Sequence, residues 1–298
     1  MLRRVLFAAG ALALLPLSAH AQLAPSALWA TEAETHYNYA PNTTYLSENG
    51  IQLRLDIYSR RDVTTPQPTL IFFHGGFWVA GSKDSQTFAV LPWLEKGWNV
   101  AVVGYRLGGV APAPAAVVDA FCALRWLGTN AAMYNIDPAK IVASGQSAGG
   151  HLALTLGMLS EQGVDAGCPA GTTPRVAAVI NWFGVTDVAD VIAGPNRNET
   201  PAGWFAGMNE EEAVALARRL SPMQYVRDGL PPILSIQGDA DNVVPYRHGV
   251  MLHEALAQTN TPNQLLTIPG GGHGRFTAGE RATIYETIDA FLEQHDIE

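Results

Sequence analysis

The sequence predicts an α/β domain built on a mostly parallel sheet with helices on both faces. Three observations carry that expectation. Short apolar runs recur along the chain, stretches of helical periodicity separate them, and most of the runs end in glycine or another turn former. At 298 residues the chain suits one large domain better than two. Hydrophobic residues make up 48% and charged residues 15%, which supplies a sizeable core and excludes wholesale disorder.

The first 21 residues stand apart from this pattern. Arg3 and Arg4 make a basic start, an apolar run follows over 5–17, and Ala19-His20-Ala21 offers a small-x-small cleavage site before Gln22. The run is shorter than the roughly 20 residues of a good membrane span. The expectation is a signal peptide over 1–21 and a single mature domain over 22–298, periplasmic or secreted, with no membrane span. Cleavage removes two arginines and no acids, taking the formal charge from −9 to −11. No basic run remains, which argues against nucleic acid and anionic membranes as partners. The acidity reads as a solubility property.

The mature chain reads in order as follows. Residues 22–50 are polar and irregular, with an edge-strand candidate at 43–46. Residues 51–58 alternate apolar and polar side chains, as a half-exposed edge strand does. The runs 69–73, 99–103, 141–143, 176–181, 233–236 and 264–268 read as interior strands. Helical spacing covers 115–127 and 148–159. A further helix over 210–220 opens on Asn209 and three glutamates and closes on Arg218-Arg219, in keeping with the helix dipole. Residues 278–295 form the last helix. The irregular stretch 185–208 reads as a small cap or pocket wall. Of the two cysteines, Cys122 either pairs with Cys168 or is a buried thiol on its helix; their spacing has no metal-site character.

Chemistry concentrates at four strand ends. Gly145-Gln146-Ser147-Ala148-Gly149 lies between a strand and a helix, and a serine on so sharp a turn needs small neighbours two residues to either side. The turn also puts Ser147 at a helix N-terminus, which favours developing negative charge. Five common residues alone are moderate evidence, and the setting gives them weight. His74-Gly75-Gly76-Phe77-Trp78 follows the 69–73 strand. Its glycines let backbone N–H groups approach an oxyanion, so Gly75 and Gly76, with Ala148, are the oxyanion-hole candidates, and His74 braces the loop.

Two later glycine-rich loops carry Asp239 and Asp241, and His273. His273 is the general-base candidate: His74 is read as bracing its own loop, and no histidine besides these two follows a strand in a glycine loop; His151, for example, lies on the helix behind Ser147. Asp241 is favoured over Asp239 as its partner because it sits further out on its loop. Asp239 reads as a loop hydrogen-bonder.

Taken together, His-Gly-Gly-Phe-Trp, Gly-Gln-Ser-Ala-Gly-Gly-His-Leu-Ala, Ser221-Pro222, Gly-Asp-Ala-Asp-Asn-Val-Val-Pro and Gly-Gly-His-Gly resemble the bacterial esterases related to hormone-sensitive lipase, in particular the feruloyl and acetyl-xylan esterase-like branch. The resemblance runs from about Ile51 to the C-terminus. It implies an α/β-hydrolase fold, a Ser147–Asp241–His273 triad and hydrolysis of carboxylic esters without metal or cofactor. The substrate is then a small-molecule or polysaccharide-linked ester, with acetyl and feruloyl groups as candidates. The early loop carries two glycines before Phe77 where the lipase relatives often carry three. That variant also resembles kynurenine formamidase-like hydrolases and keeps a formamidase or amidase as the alternative. A non-catalytic binding scaffold of the same fold is disfavoured because every triad candidate is present. Phe77, Trp78, Trp182 and Trp204 fall near this site and read either as substrate-pocket aromatics or as ordinary packing.

Overall fold

The computed structural model describes residues 24–48, 50–159 and 167–298; the expected signal peptide, 1–21, lies outside the described residues. Its elements are, in chain order, α1 (Pro25–His36), β1 (Tyr37–Glu48), β2 (Ile51–Arg60), β3 (Gln67–Phe73), α2 (Thr87–Glu95), β4 (Asn99–Val103), α3 (Ala115–Thr129), β5 (Ile136–Gln146), α4 (Ala148–Met158) and β6 (Ala178–Trp182). There follow α5 (Val188–Ala193), α6 (Glu199–Ala202), α7 (Glu210–Arg219), β7 (Ile233–Gly238), α8 (Arg247–Leu256), β8 (Asn263–Ile268) and α9 (Ala278–Gln294).

One sheet joins the eight strands of the described residues in the order β1-β2-β4-β3-β5-β6-β7-β8. The β1–β2 and β2–β4 pairs are antiparallel, and every later pair is parallel. The interior strands are buried on both faces, and their side chains alternate between two cores. Leu70, Phe72, Val100, Val102, Ile180 and Leu234 meet α2 and α9 through Trp93, Leu94, Ile288 and Phe291. Ile71, Phe73, Ala101, Val103, Ala143 and Val179 face the opposite way, toward Phe121, Leu124, Leu152 and Leu252 of α3, α4 and α8.

This strand order positions the site. The chain goes from β3 to β4 on one side and then returns to place β5 on the other, so β3 and β5 flank a switch point. In such sheets the crevice beyond the carboxyl ends of the strands at a switch point is the natural ligand site. Phe73 pairs with Gly145, so the loops bearing Gly75 and Ser147 leave adjacent strands at the same level. Gly238 pairs with Ile268, and the loops of Asp241 and His273 leave together in the same way.

Several boundaries differ from expectation. The segment before residue 50 is not irregular: it forms α1 and a twelve-residue β1. Register shifts between Ala40/Thr43 and Thr44/Leu46 break the period-two pattern that would have marked this strand. β1 is therefore the edge, and β2, expected there, is covered on both sides. α2 was not foreseen because Pro92 lies inside it. Cys122 and Cys168 are joined by a disulfide, tying the chain beyond α4 back to α3. The 185–208 stretch holds α5, α6 and a 3₁₀ turn at Gly203–Phe205.

Candidate active site

Ser147 caps α4 with φ 56° and ψ −118°, a left-handed backbone that non-glycine residues avoid at a cost of about 1–3 kcal/mol. Its surroundings enforce it. The Ser147 N–H donates to the Trp182 carbonyl at 2.9 Å, and the Ser147 carbonyl accepts from His151 N–H at 3.0 Å. A Cβ on Gly145 would lie 2.4 Å from the Gly149 carbonyl oxygen, and one on Gly149 would lie 2.1 Å from that of Phe73. Glycine is needed at both positions because backbone from β3, β5 and α4 meets there.

The loop after β3 wraps against this turn. A Cβ on Gly75 would sit 3.2 Å from Ser147 Cβ, so this glycine lies directly beside the serine. Gly76 (φ 123°), Phe77 (φ 52°) and Trp78 (φ 59°) run consecutively through left-handed conformations, and the Gly76 carbonyl accepts from Val79 and Ala80. The N–H groups of Gly75 and Gly76 make no hydrogen bond among the described residues, and neither does that of Ala148, the first residue of α4. Donors from a loop and from a helix N-terminus thus flank one serine. His74 is buried beneath them. Its Nδ1–H donates to the Gly75 carbonyl at 2.7 Å, its ring stacks on Tyr105 at 4.3 Å, and the Tyr105 hydroxyl donates to its carbonyl at 2.9 Å. Burial holds the His74 ring below the ordinary histidine range, which favours the neutral form in this bracing role.

Across the crevice, Asp241 Oδ2 accepts from His273 Nδ1 at 2.7 Å. The other carboxylate oxygen, Oδ1, accepts from the N–H groups of Val243 and Val244 at 2.9 and 3.0 Å. The carboxylate is therefore fully engaged, the proton of His273 is fixed on Nδ1, and Nε2 is the basic nitrogen. Asp239 instead accepts from Gly270 N–H at 2.6 Å, tying the two loops together. Among the described residues the Ser147 hydroxyl makes no hydrogen bond. Phe183 connects the two halves: its ring lies on His273 at 4.6 Å, and it follows Trp182, which holds the Ser147 N–H. Phe183 also has positive φ (42°), a conformation invisible in the sequence.

The aromatic candidates fare differently. Phe77 is partly exposed at the loop, but Trp78 and Trp204 are 0% and Trp182 is 3% exposed. Trp182 belongs to the core under α2 and α9 and packs on Tyr285. Trp78 and Trp204 stack on each other at 4.4 Å with 16° between planes. Of the two readings open for these three, burial supports packing, and the Trp182 carbonyl is what holds the Ser147 N–H. Sequence reasoning set His151 aside; it hydrogen-bonds Trp78 Nε1–H through Nδ1 at 3.1 Å and the Leu220 carbonyl through Nε2 at 2.8 Å.

Comparison with known proteins agrees with this architecture. Residues 55–256 match the family model described as BD-FAE. The chain is 32% identical to esterase LipC of Mycobacterium tuberculosis over 232 residues, covering 74% of this chain and 56% of LipC. It is 28% identical to esterase LipQ of the same organism, covering 51% of that protein, so the chain spans about half the length of these curated relatives. Among solved structures, a truncated carbohydrate esterase from gut microbiota is 30% identical with a TM-score of 0.76, covering 88% of this chain and 98% of that one. The butyrate-bound esterase Est2 of Thermogutta terrifontis is 27% identical with a TM-score of 0.74, covering 88% and 95%. The sheet order, helical layers and strand-end loops make this an α/β-hydrolase fold.

Proposed function

The chain belongs to the BD-FAE family, and from that premise we propose that it is a serine carboxylesterase working through an acyl-enzyme on Ser147. The observation that carries this reading is the Asp241–His273 hydrogen bond, which leaves Nε2 basic on the strand-end edge where Ser147 stands on its left-handed turn. His273 Nε2 takes the Ser147 proton as Oγ adds to the ester carbonyl carbon. Asp241 keeps the ring oriented and stabilises the imidazolium. The carbonyl oxygen becomes an oxyanion held by the N–H groups of Gly75, Gly76 and Ala148. Collapse expels the alcohol, which leaves with the proton from Nε2, and the acyl group remains on Oγ. A water molecule then repeats both steps and releases the acid. The free Ser147 hydroxyl suits this scheme, because catalytic hydrogen bonds commonly tighten only once substrate is bound.

The substrate class is an ester of plant polysaccharide, acetyl or feruloyl. Similarity to a carbohydrate esterase supports it, and so does the export expected of residues 1–21, since such polymers stay outside the cell. The Cys122–Cys168 disulfide also suits an oxidising, extracytoplasmic compartment. A fluorophosphonate probe is expected to label Ser147, and Ser147→Ala to lower turnover by roughly four to six orders of magnitude. The substrate panel is aryl esters of increasing chain length, acetylated xylan, methyl ferulate and N-formylkynurenine. Folded protein that the probe leaves unlabelled overturns the mechanism; turnover of N-formylkynurenine alone overturns the substrate class.

A further inference from the structure

We propose that His151 is a positioning residue that holds the two halves of the oxyanion hole in register. The inference rests on Gly75, Gly76 and Ala148 being the oxyanion donors. These donors come from separate elements, the loop after β3 and the first turn of α4, so something must fix one against the other. His151 lies on α4 one turn after Ser147 and is 0% exposed. Its Nδ1 receives the Trp78 Nε1–H at 3.1 Å. Trp78 is the last of the three consecutive left-handed residues of the donor loop.

The geometry admits one arrangement of protons. An indole nitrogen can only donate, so His151 Nδ1 accepts and the ring proton resides on Nε2. That proton goes to the Leu220 carbonyl, 2.8 Å away at the end of α7. Burial holds His151 down at about 4, so the ring is neutral at the pH where esters are turned over. The Trp78 indole is gripped from a second side by Trp204, stacked at 4.4 Å, and the Trp78 carbonyl accepts from Gly108 N–H at 2.8 Å. His151 thus ties the donor loop to the donor helix and both to the end of α7, without itself touching the reacting atoms. The sequence carries the same device as a tryptophan in the early glycine loop matched by a histidine four residues after the serine.

The test compares His151→Leu, His151→Gln and Trp78→Phe with the unaltered protein, using an aryl acetate and an aryl boronate that forms a tetrahedral adduct on Ser147. Leucine removes both hydrogen bonds. A side-chain amide offers an acceptor and a donor at nearly the imidazole spacing and so restores them. His151→Leu is expected to lower kcat about 10- to 100-fold, less than deleting an oxyanion donor outright, with KM changed by less than about threefold. Boronate affinity is expected to fall with kcat, and His151→Gln to recover within about fivefold. Trp78→Phe keeps an aromatic ring against Trp204 and loses the N–H, so it should match His151→Leu, and the double variant should lose no more than either alone. Losses that multiply, a glutamine that does not rescue, or kcat within twofold of the parent in His151→Leu overturn the proposal. Should His151→Leu fail to fold, parental kcat in Trp78→Phe overturns it equally. If Ser147→Ala keeps its turnover, the reading of the whole site falls; if Ser147→Ala is inactive while Trp78→Phe is unimpaired, only this inference falls.

Discussion

Replacing Asp241 with asparagine is expected to lower kcat by about four orders of magnitude without unfolding the protein. The structure dictates how the new amide must sit. Two backbone donors, Val243 and Val244 N–H, point at Oδ1 from 2.9 and 3.0 Å, so the amide oxygen has to stay there. The NH2 group is then forced into the place of Oδ2, 2.7 Å from His273 Nδ1. Two donors cannot share that contact, and the imidazole responds by moving its proton to Nε2. The nitrogen that should take the Ser147 proton then already carries one. Four decades of rate correspond to about 5.5 kcal/mol of transition-state stabilisation, from one exchanged oxygen. Asp239→Asn is the control, because its carbonyl can accept from Gly270 N–H as the carboxylate does; kcat should stay within about threefold. Steady-state kinetics on an aryl acetate near pH 8, with thermal melts of each variant, read the outcome. An Asp241→Asn enzyme within tenfold of the parent, or a loss that follows Asp239 instead, refutes the reasoning.

Acid should destabilise the fold through two buried rings, His151 and His253, which burial holds down at about 4. The unfolded chain binds protons near pH 6.5 that these folded rings refuse, so stability present above pH 6.5 is lost as the pH falls toward 4. The loss approaches about 3 kcal/mol per ring. Urea titrations at pH 7 and pH 4 should differ accordingly, and His151→Gln should flatten the difference; equal stability at both pH values contradicts the argument. The Cys122–Cys168 bridge closes 46 residues of sequence and should stabilise the protein by about 4 kcal/mol through the unfolded chain. Reductant should lower the denaturation midpoint, and two free thiols in unfolded, non-reduced protein would show that no bridge forms.

The site was legible because its chemistry needs particular residues at particular turns. Ser147 and Gly75 had to sit among glycines for backbone to approach backbone, and that requirement is written in the sequence. Asp241 could be preferred to Asp239 from its place further out on the loop. Other features left no such mark. Register shifts in β1 scramble its alternation, and a proline inside α2 disguises the helix. Trp78, Trp182 and Trp204 read equally as pocket or packing, since an aromatic at a strand end says nothing about which way it turns. Phe183 gives no hint of its left-handed backbone, yet its ring is what His273 leans on.

The candidate catalytic residues and the 185–208 cap stand apart in the sequence, and the structure joins them. The cap is held to the scaffold at points that are also supports of the site. Trp204 of the cap stacks on Trp78 of the donor loop, and His151 binds that same Trp78 and the end of α7. Asp190 of α5 accepts from His248 at 3.1 Å and is ion-paired to Arg247, and both partners lie on the helix that follows the Asp241 loop. Each half of the proposed machinery, the oxyanion donors and the acid–imidazole pair, therefore has its own link to the cap. A substitution at these cap contacts should then change kcat as well as KM, because the cap and the proposed catalytic geometry rest on the same side chains.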